Sequence, residues 1–193
     1  MVRQVRARLT RSALITAAAG EFARLGYAGA TVARISTAAG VTSGALTFHF
    51  VSKEDLARAV ADVGVEAVRS AVGEVERLAA PGLAAAERLT QVLAVLLEQD
   101  VHVRATVRLL DECPDECPEA CEAWRAAWRP ALDHALDRAR AGGADDAVVT
   151  DVQLLISYLL AGAGARIRAG RSVATVRHDL GRLWRRFAAG LPA

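Results

Sequence analysis

GVTSGALTFHFVSKEDL, residues 40–56, is the stretch from which the fold of this chain is read. Gly40 can end one helix and Thr42 can cap the next, because a threonine hydroxyl accepts a bond from a backbone N–H two or three residues further on. Leu46 and Phe50 fall four residues apart and share an inward face, and Phe48 is assigned with Phe50 to the core. Ser52 is a second cap, with Glu54 and Asp55 in the first turn of the helix it opens, where the helix dipole favours acids. Upstream, Thr31 stands as an N-cap before Val32, Ile35 and Ala39, whose spacing makes another short helix with one buried stripe. Ser36 is small enough for a close crossing, and Val41 and Leu46 supply apolar contacts around the turn. Two short helices joined by a turn of about three residues that contains a glycine make a helix-turn-helix.

Working outward, a first helix is expected over about 9–25, ending at Gly26, with Ile15, Ala18, Phe22 and Leu25 on its apolar face. After Ser52 a long helix runs to about 78, and Pro81 with Gly82 breaks it. Residues 83–110 read as one or two helices with a break near Asp100, and Pro114 and Pro118 bracket a non-helical link. Residues 119–141 are helical again, with a kink or broken turn at Pro130. Asp145 caps a long apolar helix that carries Gly162 and Gly164, a pair that points to a close helix approach. The last helix, about 173–189, presents Val176, Leu180, Leu183, Trp184 and Phe187. No strand pattern of any strength occurs, so the expected class is all-α.

Composition narrows the function. The 193 residues are 53% hydrophobic, 5% aromatic and 24% charged, a balance that excludes disorder, collagen-like repeats and disulfide scaffolds. The longest charge-free apolar run, between Asp151 and Arg166, is 14 residues, short of the ~20 that a spanning helix needs. Arg3, Arg6, Arg8 and Arg11 ahead of SALITAAAG imitate a signal peptide, yet Glu21 interrupts the apolar stretch and the helical spacing continues through it, so a folded helix of a cytoplasmic protein is expected. The net charge of +2 conceals an asymmetry. Residues 1–53 hold seven basic side chains against Glu21 alone, a net of +6, which leaves −4 on the remainder. That is the signature of a phosphate-binding head on a non-binding body.

Residues 40–56, preceded by GEFARLGYAGATV, resemble the helix-turn-helix of the TetR family of bacterial transcriptional regulators. The resemblance implies a three-helix DNA-binding head over residues 1–52 and a helical ligand-binding and dimerisation bundle over residues 53–193. The partners it implies are double-stranded operator DNA, a small-molecule effector and a second copy of the chain, with no cofactor and no membrane. A recognition helix reads base edges from its amino end, so Thr42, Ser43, Gly44 and Thr47 are the candidate readers. Thr31, His49, Lys53 and the leading arginines are candidate phosphate contacts. His49 by type alone reads as a core histidine, and the resemblance turns it toward DNA. Lys53 is the only lysine in the chain and sits at a helix start. Thr47 stands where the family usually has tyrosine, and Ser43 where one subgroup often has lysine, so two DNA contacts familiar from the family are missing here.

That subgroup is the gamma-butyrolactone receptors, which the body resembles through VRATVRLLDE and a following Trp124. Trp124 and Trp128 lie one helical turn apart and share a face, and the resemblance makes Trp124 a wall of an effector cavity. Polar groups that some subgroup members present to the ligand correspond here to Gly64 and Leu160. The effector is expected to be small and largely apolar, either a gamma-butyrolactone or an antibiotic-like molecule. Leu155, Leu159, Gly162 and Ile167 with Leu180, Leu183, Trp184 and Phe187 offer more apolar surface than one small body covers, which points to a homodimer.

Two other readings compete. Cys113, Cys117 and Cys121, spaced by four, would share a face if helical and could make a thiol or metal sensor on the same scaffold. The prolines between them oppose a continuous helix, and three ligands are too few for structural zinc. No resident metal is therefore expected. A helical-bundle enzyme is the remoter alternative, as no P-loop, full dinucleotide glycine fingerprint, HExxH or nucleophile elbow is present.

Overall fold

The computed structural model describes residues 2–78, 80–113, 118–169 and 172–189. All regular structure among them is helical: α1 (Val2–Gly29), α2 (Val32–Ala38), α3 (Ser43–His49), α4 (Lys53–Arg77), α5 (Gly82–Gln99), α6 (Val101–Glu112), α7 (Pro118–Ala141), α8 (Asp146–Arg168) and α9 (Val173–Ala189). The expected caps do the starting. Thr31, Thr42 and Ser52 accept bonds from the N–H groups of Arg34, Ala45 and Asp55. Asp100 accepts from His102 and Val103, so residues 83–110 are two helices, and Asp145 accepts from Ala147 ahead of α8. Gly40, at φ 67°, follows the end of α2, and Gly26, at φ 74°, interrupts α1.

Three expectations change. First, α1 begins at Val2 rather than near residue 9, because alanine, glutamine, arginine and leucine propagate a helix without a core to face, and residues 4–9 are exposed. It also resumes for one turn beyond the non-helical Gly26. Second, Pro130 lies inside an uninterrupted helical run, so the broken turn is not formed; buried Ala127, Ala131 and Leu132 hold the run on both sides of it. Third, of the glycine pair in α8 only Gly164 is buried; Gly162 is exposed, with nothing within 4 Å of where a Cβ would be, so within one chain Gly162 makes no close helix approach.

The chain forms two compact units, one of residues 1–66 and 100–123, the other of residues 67–99 and 124–193. The unit that holds the helix-turn-helix is thus larger than the 1–52 segment expected, since α6 and the first part of α4 build its core. Phe22, Ile35, Leu46, Phe50, Val60 and Leu109 are buried in one cluster that draws on α1, α2, α3, α4 and α6. Burying an apolar side chain of this size stabilises by ~1.5–3 kcal/mol. The close packing of α4 on α6 depends on Gly64, where a Cβ would strike the Thr106 hydroxyl and the His102 carbonyl.

In the second unit α5 packs against α8 and α9, and Ala94, Val176 and Leu180 form one buried cluster. Leu132, Leu136, Val149 and Ile156 are also buried. On α8, Leu154 and Tyr158 lie four residues apart and are 53% and 68% exposed, and Leu183 of α9 is 43% exposed. Trp184 and Leu180, expected on that apolar surface, are instead buried. Phe187 is half-buried, while the side chains of Leu159 and Ile167 fall outside the described residues. No helix among the described residues is long and apolar enough to cross a membrane.

Candidate nucleic-acid interface

The seven-residue α3 divides into two faces. Leu46 points inward, and Phe50, just past the helix, is 4% exposed. Ser43, Gly44 and Thr47 are all exposed on the other side. Their polar groups are engaged only locally: the Thr47 hydroxyl donates to the Gly44 carbonyl at 3.1 Å. Thr42, also exposed, accepts from the Ala45 N–H at 3.1 Å. A Cβ at Gly44 would meet nothing closer than the Thr42 hydroxyl at 3.9 Å, so a large body can approach the backbone there. Thr31 is exposed at the start of α2.

Phe48 corrects the core assignment, being 83% exposed, with Val51 at 92% beside it. A helix advances ~100° per residue, so a position two residues from both Leu46 and Phe50 faces away from them. That phase was available in the sequence and outweighs residue type. His49 is half-buried, its ring edge-to-face with Phe48 at 5.3 Å between centroids.

The charge is arranged so that the surface stays positive. Arg6, Arg8 and Arg11 are exposed on the first turns of α1, and the Arg11 guanidinium lies 4.9 Å from the centre of the Phe50 ring. Glu21 is committed: it accepts from Arg34 Nε at 2.8 Å and from Arg24 Nη2 at 3.0 Å. These bonds, Arg34 first and Arg24 second, hold its carboxyl below the usual carboxylate range. Lys53 is half-buried, with Nζ donating to the Tyr27 carbonyl at 3.0 Å and lying 4.2 Å from the centre of the Tyr27 ring.

Elsewhere the expected sites are less gathered. Trp124 and Trp128 are both half-buried on α7. An open groove of about 860 Å³ in the second unit is lined by Pro81, Leu83, Arg138, Asp145 and Val148 among others, and neither tryptophan lines it. Gly64, which stands where some subgroup members present a polar group, is buried against α6, and the side chain of Leu160 lies outside the described residues. Cys113 caps α6 in a non-helical conformation, and Cys121 is half-buried within α7, so these two do not share one helix. Cys117 lies outside the described residues. Among the described residues no group of three metal-capable side chains assembles.

A short helix with an open polar face, held over a core and set in a basic segment, is the form of a DNA-reading head. The model of the bacterial regulatory proteins of the tetR family matches residues 14–60. The whole chain is similar to a gamma-butyrolactone receptor, an ArpA-like protein, at 31% identity and a TM-score of 0.75, covering 96% of this chain and 89% of that one. The protein belongs to the tetR family.

Within it, CprB from Streptomyces coelicolor A3(2) is 30% identical with a TM-score of 0.77, covering 97% of this chain and 91% of that one. The A-factor receptor protein of Streptomyces griseus is 45% identical over 62 residues, 32% of this chain, and the match spans only 22% of that protein's length.

Proposed function

We propose that the protein is a homodimeric, DNA-binding transcriptional repressor that a small, largely apolar effector releases from its operator. The observation that carries this reading is the outer face of α3. Ser43, Gly44 and Thr47 are exposed, their polar groups make only local bonds, and they stand in a segment whose single acid is already paired with two arginines. Thr42, Ser43, Gly44 and Thr47 read base edges, with the exposed Phe48 adding an apolar contact of the kind that meets a thymine methyl. Thr31, His49 and the arginines of α1 meet phosphates. The family's CprB has been solved with its biological operator sequence, which supports the same use here.

The dimer is supported by Leu154, Tyr158 and Leu183, large apolar side chains left open on α8 and α9, and by the need of paired half-sites for paired readers. Whole-chain likeness to a gamma-butyrolactone receptor supports an effector of that kind, or an antibiotic-like molecule of similar polarity, held in the body against Trp124 and Trp128. Effector control requires different affinities for the bound and released conformations. The functional division is a DNA-binding segment within residues 1–52 and a regulatory remainder. The reading is of a regulator in the cytoplasm, not an enzyme.

The test is binding to the DNA upstream of its own gene, with competitor DNA, across a salt series. Tight, sequence-selective, salt-sensitive binding is expected, followed by release on adding a lactone of the class. Failure to select any duplex from the upstream region and from a random-sequence pool overturns the reading.

A further inference from the structure

Away from the outer face of α3, two charged side chains of the first unit, Glu112 and Lys53, converge on the backbone of one residue, Tyr27. In an unbroken α1 the Tyr27 N–H would face the carbonyl of Ala23. The conformation of Gly26, φ 74° and ψ −179°, turns the chain at that point. The Tyr27 N–H donates to Glu112 Oε2 at 2.9 Å, while the Ala23 carbonyl accepts from Arg108 Nη1 at 3.1 Å. Arg108 Nε and Glu112 Oε1 are joined at 2.6 Å, so an ion pair from α6 bridges the two backbone groups that a continuous helix would pair with each other. Gly26 has no side chain to obstruct this, since a Cβ there would fall on the Glu112 carboxylate. From the other side, Lys53 takes the Tyr27 carbonyl and covers its ring.

We infer that Glu112 and Lys53 are positioning residues for DNA binding: they grip the two ends of Tyr27 from α6 and from the start of α4, and thereby fix the angle at which α3 is presented. This rests on the DNA-binding reading above. The leverage follows from connectivity. Lys53 is four residues beyond the end of α3, and Phe50, between them, is locked into the same core as Phe22, whose ring stacks on Tyr27 with centroids 6.0 Å apart. The far end of α6 has little freedom to slip, because His102 and Thr106 press on Gly64 of α4 and His102 Nε2 lies 3.4 Å from the Thr16 hydroxyl. An ammonium with three donors that holds a carbonyl and covers a ring orients the helix it begins, whether or not a remaining donor also meets a phosphate.

Two measurements on the full chain test this. Amide hydrogen exchange without DNA follows residues 22–30 and 43–52 in Glu112→Ala, Glu112→Gln, Lys53→Met and Lys53→Arg. Affinity for the duplex that the unaltered protein enriches from a random-sequence pool is then measured against salt. The alanine and methionine variants are expected to exchange faster over both stretches and to bind at least ~10-fold more weakly, the loss of roughly one charge-assisted bond, with the slope of log K against log salt unchanged in Glu112→Ala. The glutamine and arginine variants, which keep an acceptor and a cation, are expected to recover most of the affinity. A weakening in Lys53→Met that shows only as a slope lower by ~0.9, with exchange unchanged, makes Lys53 a phosphate contact alone and overturns its positioning role. Faster exchange confined to residues 22–30, or none, overturns the coupling to α3. If the unaltered protein enriches no duplex, the DNA-binding reading fails, and the exchange result still decides whether the grip on Tyr27 sets the order of α3.

Discussion

The two sides of α3 obey opposite rules. Its inner side is closed: Leu46, and Phe50 after it, sit in a core shared with Phe22 and Ile35. The neighbouring Tyr27 has both backbone groups held by charged partners. Its outer side is left open, with hydroxyls engaged only by their own turn and a phenyl ring standing in solvent. A surface that must exchange water for base edges gains nothing from strong internal partners, whereas the support behind it loses angular precision with each partner it lacks. Stability and recognition are therefore carried by different side chains only a residue or two apart, which makes the division open to test by substitution.

The largest effect is expected from Leu46→Ala, which opens a cavity on the closed side and destabilises the protein by about 2–5 kcal/mol, measured by chemical denaturation. A loss under ~1 kcal/mol would mean that α3 is not anchored as described. Gly26→Ala comes next. It meets both a positive φ and the Glu112 carboxylate and is expected to lose more than about 1 kcal/mol, read from the same denaturation curves. On the open side, Thr47→Ala is expected to change stability by less than ~0.5 kcal/mol. Its effect is on selectivity, altering preference among operator variants by up to about 1–3 kcal/mol for a base-specific contact, measured by competition binding. A stability change as large as that of Gly26→Ala would erase the distinction between the faces.

The smallest effect concerns Glu21. Its carboxyl is depressed in the folded state, chiefly by Arg34 and then by Arg24, so the pairing stabilises fully above the ordinary carboxylate value and is lost as pH falls through the depressed one. Thermal melts of the protein and of Glu21→Gln are expected to differ near neutrality and to converge on acidification. A gap that persists at low pH removes the ion pairs as its cause.

What was legible in the sequence was local. Thr31, Thr42, Ser52 and Asp145 announce helix starts because a cap acts within three residues, and Gly26 and Gly40 announce a break and an end because their conformation is intrinsic. Phe48 is legible too, since helical phase turns it outward against its aromatic character. The grip on Tyr27 was not legible: Lys53 lies 26 residues away and Glu112 lies 85 away, and nothing in either neighbourhood encodes the meeting. The readers Ser43, Gly44 and Thr47 could be named because α3 is short and its inner face is marked by Leu46; Trp124 and Trp128 could be named only by likeness, since a cavity wall is made by several helices at once.

The path of the chain through its two units has a mechanical consequence. It passes from one unit to the other three times, within α4 after residue 66, between α5 and α6 after residue 99, and within α7 after residue 123. Three separate crossings, two of them inside continuous helices, leave no single cut that frees one unit from the other. The head cannot be detached as a bead from a string either. A fragment ending at residue 52 leaves behind Leu56, Val60, Ala105 and Leu109, which close its core, so transplanting this reading head onto another regulator requires carrying α6 across with it.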